Sequence, residues 1–120
     1  MEPGRSMRPD DATLLDMLNA ARQALAFVGD MGKPAFLEDP KTQSAILHQL
    51  LLLGEAIKRL SPQFRATHDA IPLKVFAGMR DVLIHQYDSV DLDEVWRTLQ
   101  EDVPALIEAI LPLAPRPSQS

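Results

Sequence analysis

"AILHQLLLLGEAIKRLSP", Ala45 to Pro62, is the stretch whose periodicity decides the fold. Ile46, Leu50, Leu53, Ile57 and Leu60 recur at steps of four, three, four and three, which lines one face of a helix and no face of a strand. Leu47 and Leu51 widen the stripe. Leu52 falls outside it, so the helix is expected to bury more than one face. Gly54 interrupts the pattern and costs about 1 kcal/mol against alanine in a helix. Such a glycine permits a close helix crossing. Upstream, Asp39-Pro40 supplies a capping carboxylate and a proline at the first helical position, where its missing N–H removes no bond. Ser61-Pro62 ends the element.

Outward from this helix the chain keeps the same period. Asp10 or Asp11 is placed to cap an earlier helix carrying Leu14, Leu18, Ala21 and Leu25, flanked by Leu15 and Phe27, with "GDMGKP" from Gly29 as its stop. Phe64 to Ala70 reads as a short helical turn. Ile71-Pro72 opens a third helix through Val75, Phe76, Met79, Val82 and Leu83. Asp91 and Glu94 have capping-box spacing for the last helix, where Val95, Leu99, Val103, Leu106 and Ile110 line the buried face. Pro104 inside that pattern is expected to kink or split it. No segment alternates as a strand. The expected fold is all-α, an antiparallel bundle of four main helices plus a short helical segment, in one domain over residues 10–112. Residues 1–9 and 113–120 are expected to be flexible tails.

Composition narrows the function. With 120 residues, 46% apolar and 24% charged, the chain can build one real core. A net charge of -5 is wrong for a general nucleic-acid coat, although it leaves room for one basic pocket. The absence of cysteine removes disulfides, thiolate catalysis and cysteine-bound zinc, and suits a reducing cytoplasm. "MEPGRSMRP" has no apolar h-region and does not read as a signal peptide. Thr42 to Gly54, the longest uncharged run, is too short and too polar to cross a bilayer. There is no glycine-rich phosphate loop, GxGxxG or HExxH motif.

The chemistry concentrates in "GMRDVLIHQYDSVD", Gly78 to Asp91. It holds Arg80, Asp81, His85 and Tyr87 in a chain with three histidines and one tyrosine. Asp81 and His85 are four apart and share a helix face. Arg80 and Tyr87 are seven apart and nearly aligned if the helix persists that far. Arg80 and His85 lie about 140° apart around an ideal helix. A site using both therefore needs a groove around the helix end, a distortion, or a second copy of the chain. An imidazole can donate or accept a proton near neutral pH. Asp81 can hold its ring, and a guanidinium suits a phosphate oxygen. Such a pair is a reasonable minimum for metal-free attack of an RNA 2'-hydroxyl on its neighbouring phosphate. Only RNA carries that hydroxyl, so DNA is not an expected substrate. From spacing alone, Asp81 and His85 read first as a helix-surface pair rather than a catalytic one, and Tyr87 as an interface or capping aromatic rather than a nucleophile.

Arg80, four residues, His85, Gln86 and Tyr87 resemble the Arg-x4-His-x-Tyr motif of HepT-like toxins, a branch of the HEPN superfamily of helical nucleases. "LLLGEAIKRLSPQF", Leu51 to Phe64, and "IPLKVFAGMRDVLIHQYDSVDLDEVW", Ile71 to Trp96, extend the likeness, which covers about Leu14 to Ile110. The resemblance implies a homodimer whose motif helices meet at a shared cleft. It implies a metal-independent endoribonuclease toxin that needs no cofactor, with Arg80 and His85 as catalytic residues. It also implies a neighbouring nucleotidyltransferase antitoxin, of the MNT type, that transfers AMP onto the motif tyrosine, here Tyr87, and so blocks the RNA site by charge and bulk.

Two positions depart from the family pattern. Asp81 stands where many relatives carry asparagine, and Leu73 where many carry tryptophan. A carboxylate at Asp81 can orient His85 or repel the RNA backbone. Glu55 has two readings, a side chain leaving one face of the bundle or a supporting acceptor for Arg80. His48 and Glu55 share a face without a third metal ligand, so no metal site is expected. His68 is expected to be exposed. Lys58, Arg59, Arg65 and Lys74 can form a basic rim or an ordinary solvated surface. Glu94, Glu101, Asp102 and Glu108 suit solvent or a basic partner. The alternative to the nuclease is a non-catalytic helical module that engages a nucleotidyltransferase. A phosphatase or nucleotide-binding enzyme using the same groups is the third reading.

Overall fold

A computed structural model describes residues 9–116, and all regular structure within them is helical. Residues 1–8 and 117–120, most of the two expected tails, lie outside the described residues. Helix α1 spans Asp11–Val28 and turns Leu14, Met17, Leu18, Ala21, Ala24 and Val28 inward. Leu15 and Phe27 stay exposed. The helix stops at Gly29, whose φ of 52° lies in the left-handed region that favours glycine and whose N–H donates to the Leu25 carbonyl. Asp10 precedes the helix but does not cap it through its side chain. Its carboxylate instead accepts from the Ser61 N–H at 2.8 Å and the Ser61 hydroxyl at 2.7 Å. The expected local cap is thus a long-range clasp.

Helix α2, Lys33–Leu37, was not expected from the sequence. Five residues carry too little periodicity to announce a helix, and "GDMGKP" reads only as a stop. Phe36 is its anchor, fully buried, with its ring centroid 5.5 Å from that of Trp96. Helix α3 spans Pro40–Lys58, and the Asp39 carboxylate accepts from the Thr42 N–H as the sequence predicts. Ile46, Leu50, Leu53, Ile57 and Leu60 are all buried. Leu52 is 43% exposed, so the helix does not bury a further face through it.

Helix α4, Pro62–Thr67, is the short turn expected after Ser61, capped by the Ser61 hydroxyl accepting from the Phe64 N–H. Helix α5 spans Leu73–His85 and buries Leu73, Phe76 and Leu83. Val82, placed with the core stripe by sequence, is exposed. Helix α6, Leu92–Arg97, begins at Asp91, whose carboxylate accepts from the Asp93 and Glu94 N–H groups. Glu94 does not complete the box. It turns to Arg97, three residues on.

A π turn over Thr98–Asp102 joins α6 to α7, Val103–Ile110. The Val103 N–H reaches back five residues to the Thr98 carbonyl. Pro104 has no N–H to give, and the wider turn just before it accommodates that loss without ending the helix. Val95, Leu99, Val103, Leu106 and Ile110 are all fully buried, as their spacing predicts. Beyond residue 112 the chain is still packed: Ala114 is buried, and its N–H donates to the Ile110 carbonyl.

Helix α3 packs against both α1 and α5, and α7 packs against α1. Asp10 clasps Ser61, and Asp16 pairs with Arg59 at 3.0 Å. The start of α1 therefore lies beside the end of α3, and the two run antiparallel. Among the described residues no helix is long and apolar enough to cross a membrane.

Candidate functional site

The site is built where α5 crosses α3. Gly54 makes the crossing possible. A Cβ there would stand 2.8 Å from the Phe76 carbonyl oxygen and would overlap the Cβ of Arg80. The close approach brings the Arg80 backbone onto α3, one residue from Glu55. Arg80 Nε donates to Glu55 Oε2 at 2.9 Å, and Nη1 donates to Asp81 Oδ1 at 3.1 Å. The Arg80 side chain is only 23% exposed. Glu55 is therefore an acceptor for Arg80 from another helix.

Asp81 faces two cations. Its Oδ1 lies 3.0 Å from Lys58 Nζ, at the end of α3, as well as 3.1 Å from Arg80 Nη1. Lys58 first, and then Arg80, hold the Asp81 carboxyl below the usual carboxylate range. In return Asp81, followed by Glu55, holds the Arg80 guanidinium above its already high ordinary value, against the opposing effect of partial burial. Among the described residues no hydrogen bond joins Asp81 to His85, although the two share a helix face. The two cations draw the carboxylate across to α3 and away from orienting the ring.

His85 is the last residue of α5 and is exposed. The helix does not continue to Tyr87. Gln86 leaves helical geometry at φ -140° and ψ 42°, and Tyr87 enters a 3-10 turn, Tyr87–Ser89. The near alignment of Arg80 with Tyr87 therefore does not arise from a continuous helix. Tyr87 is half exposed, and Val82 and Ile84 are exposed beside it in sequence. One chain thus presents a buttressed arginine on the α3 side of α5 and a solvent-facing histidine and tyrosine at its end.

The other polar candidates sort themselves by contact. Arg59 pairs with Asp16, and Arg65 Nη2 donates to the Ile57 carbonyl at 2.7 Å, which leaves the expected basic rim divided. His68 is half-buried rather than exposed, with its ring centroid 4.4 Å from that of Phe64. The two residues are four apart and the His68 N–H donates to the Phe64 carbonyl, so helical register brings the rings together. Glu94, Glu101 and Asp102 do not wait for an outside partner, since all three lie against Arg97. Among the described residues no three His, Asp or Glu side chains stand close enough to share a metal ion. In the sequence Lys58 reads only as part of a rim, and its contact with Asp81 depends on a helix crossing that spacing does not reveal.

Known proteins resemble this chain over most of its length. The HepT-like family model, described as Ribonuclease HepT-like, matches residues 17–113, from α1 through the turn after α7. The chain is 39% identical over 93 residues to "Probable ribonuclease HepT" of Thermococcus cleftensis, covering 78% of this chain and 84% of that protein. It is 36% identical over 95 residues to "Putative RNase MJ0125" of Methanocaldococcus jannaschii, covering 79% and 82% of the two chains. A second protein of that organism, "Putative RNase MJ0127", is 35% identical over 99 residues, 82% of each chain. No solved structure matches.

Proposed function

The chain belongs to the ribonuclease HepT-like family, and from that premise we propose that it is a metal-independent endoribonuclease acting as a cytoplasmic toxin. The observation that carries the reading is the Arg80 guanidinium, fixed by Glu55 across the Gly54 crossing and five residues before an exposed His85. A fixed guanidinium can stabilise charge on phosphoryl oxygens without first being ordered. In the proposed reaction the RNA 2'-oxygen forms a bond to the adjacent phosphorus, and the bond from phosphorus to the 5'-oxygen breaks. His85 moves the proton from the 2'-hydroxyl to the leaving 5'-oxygen. The products are a 2',3'-cyclic phosphate and a 5'-hydroxyl.

A homodimer completes this scheme. Arg80 and His85 leave different sides of α5, and a second copy against the end of that helix would offer its own His85 to the first copy's Arg80. The exposed Val82, Ile84 and Tyr87 support such a contact, because apolar side chains grouped at one helix end favour burial. Tyr87 shapes the cleft and is the group a nucleotidyltransferase antitoxin would modify with AMP. Added phosphates there would compete with RNA for Arg80.

Asp81 favours a second reading. A carboxylate already on Arg80 weakens phosphate binding, which fits a helical module that only engages the nucleotidyltransferase. One experiment separates the two: purified, partner-free protein is incubated with varied RNAs in excess EDTA, beside His85→Ala. Cyclic-phosphate ends made by the wild type and lost in a folded His85→Ala support the nuclease. Cleavage unchanged in His85→Ala removes His85 from the mechanism, and no cleavage by unmodified wild type favours the binding module.

A further inference from the structure

One Asp81 oxygen is shared by two cations that come from different helices. Lys58 Nζ stands 3.0 Å and Arg80 Nη1 3.1 Å from Oδ1. These are the distances at which the same two nitrogens would bind a phosphate oxygen. Building on the nuclease reading above, we infer that Lys58 is a phosphate-binding residue of the RNA site, and that the Asp81 carboxylate occupies the place of an RNA phosphate until the RNA displaces it.

The charges support this arrangement. Lys58 and Arg80 are matched by Glu55 and Asp81, so the resting cluster is neutral and attracts no anion. The two carboxylates differ in what they do. Glu55 holds Nε from across the helix crossing and orients the guanidinium. Asp81 is 52% exposed and reaches across the crossing through a solvent-exposed pair with Lys58, so it can rotate into water. An exposed ion pair of this kind is weak and yields readily to a competing anion. When Asp81 swings away, Lys58 and Arg80 are left with Glu55 alone and the pocket becomes positive. Lys58 lies on α3 and falls outside the Arg80–His85–Tyr87 spacing, which is why sequence offered it only as part of a rim.

Binding of a fluorescent 2'-O-methyl oligoribonucleotide of mixed sequence, which lacks the attacking hydroxyl, tests this separately from cleavage. Affinity is measured across a salt series for wild type, Lys58→Gln, Lys58→Arg and Asp81→Asn, each checked for folding by circular dichroism. Each phosphate contact on a single strand adds about 0.7 to the slope of log affinity against log salt, or about fivefold in affinity at 0.1 M salt. Lys58→Gln is expected to lose about that slope and that affinity, and Lys58→Arg to keep both. Asp81→Asn is expected to bind more tightly with the slope unchanged. Unchanged affinity and slope in Lys58→Gln, or no binding by wild type, overturns the inference. Lys58-dependent binding by a protein that cleaves no RNA would keep this inference and remove the nuclease. Cleavage with Lys58-independent binding would do the reverse.

Discussion

Two arginines in this chain sit among carboxylates, and only one belongs to the candidate site. Arg97 lies against Glu94, Glu101 and Asp102, all on its own continuous helical run. Its Nη2 stands 3.1 Å from Asp102 Oδ2 but is not aimed for a hydrogen bond, so that contact is electrostatic. Arg80 is held by one carboxylate from another helix and one from its neighbour in sequence, and the latter is shared with Lys58. The Arg97 cluster has excess negative charge, its contacts are local, and an incoming phosphate would be repelled. The Arg80 cluster is balanced, spans two helices and can become positive by moving one side chain. Similar residues are therefore set in opposite electrostatic surroundings, and the helix crossing makes the difference.

Removing each arginine tests that distinction. Arg80→Ala is expected to lower RNA cleavage by about 10²–10³-fold, the loss typical of deleting a group that stabilises transition-state charge. Arg97→Ala should leave cleavage within about twofold of wild type, because its three carboxylate partners are none of the groups around Arg80. It should instead lower the melting temperature, because Glu94, Glu101 and the largely buried Asp102 lose their shared cation. Side-by-side rates and melting curves check both. Equal cleavage losses would mean the two clusters are not different in kind.

How far the sequence reached follows the same line between local and crossing contacts. The stripes from Ile46 to Leu60 and from Val95 to Ile110 were legible because helical period alone decides which face is buried. The Asp39 cap and the effect of Pro104 were legible because each acts within one turn. The site was half legible. Spacing grouped Arg80, Asp81, His85 and Tyr87 in one segment and aligned Tyr87 with Arg80 only if the helix persisted, and the helix ends before Tyr87. It left Glu55 undecided and Lys58 in a generic rim, because their partner lies on another helix. Asp10 failed as a cap for the same reason: its better partner, Ser61, is 51 residues away. Val82 and Leu52 have core-like chemistry, and no periodic rule distinguishes an exposed apolar side chain from a buried one at a stripe's edge.

The crossing itself can be broken at Gly54. Gly54→Ala restores helix propensity but drives a methyl into Arg80 Cβ and the Phe76 carbonyl. Helix propensity favours alanine by about 1 kcal/mol. Overpacking opposes it by about 1–3 kcal/mol or more, and the obstacle here includes backbone that cannot rotate aside. A net loss of stability is expected by chemical denaturation, together with reduced cleavage as Arg80 is pushed off Glu55. Gly78, on the same helix as Arg80, has open space where its Cβ would be. Gly78→Ala should therefore stabilise, and a loss there as large as at Gly54 would show that crowding at the crossing is not the cause.

The smallest expected effect is a pH dependence, and it sharpens the contrast between the clusters. Asp81 is held below its unfolded carboxyl value of 3.8, by Lys58 first and then Arg80, and Glu94 is held below 4.5 by Arg97. A depressed carboxyl adds stability above its unfolded value and loses that contribution as pH falls through its folded value. Asp81→Asn should therefore melt slightly below wild type at neutral pH, and the two curves should converge as the solution is acidified below pH about 4. Glu94→Gln should converge in the same sense, beginning at higher pH. Both gaps are small, because these carboxylates are more than half exposed and solvent screens their pairs. The clusters should then part in RNA binding. Asp81→Asn should bind RNA more tightly while being slightly less stable, because its carboxylate competes with phosphate. Glu94→Gln should lose stability without any gain in binding, because no second cation waits behind it. A pH-independent gap for Asp81→Asn, measured by thermal melts across the acid range, would mean that its carboxylate is not held by Lys58 and Arg80 in solution.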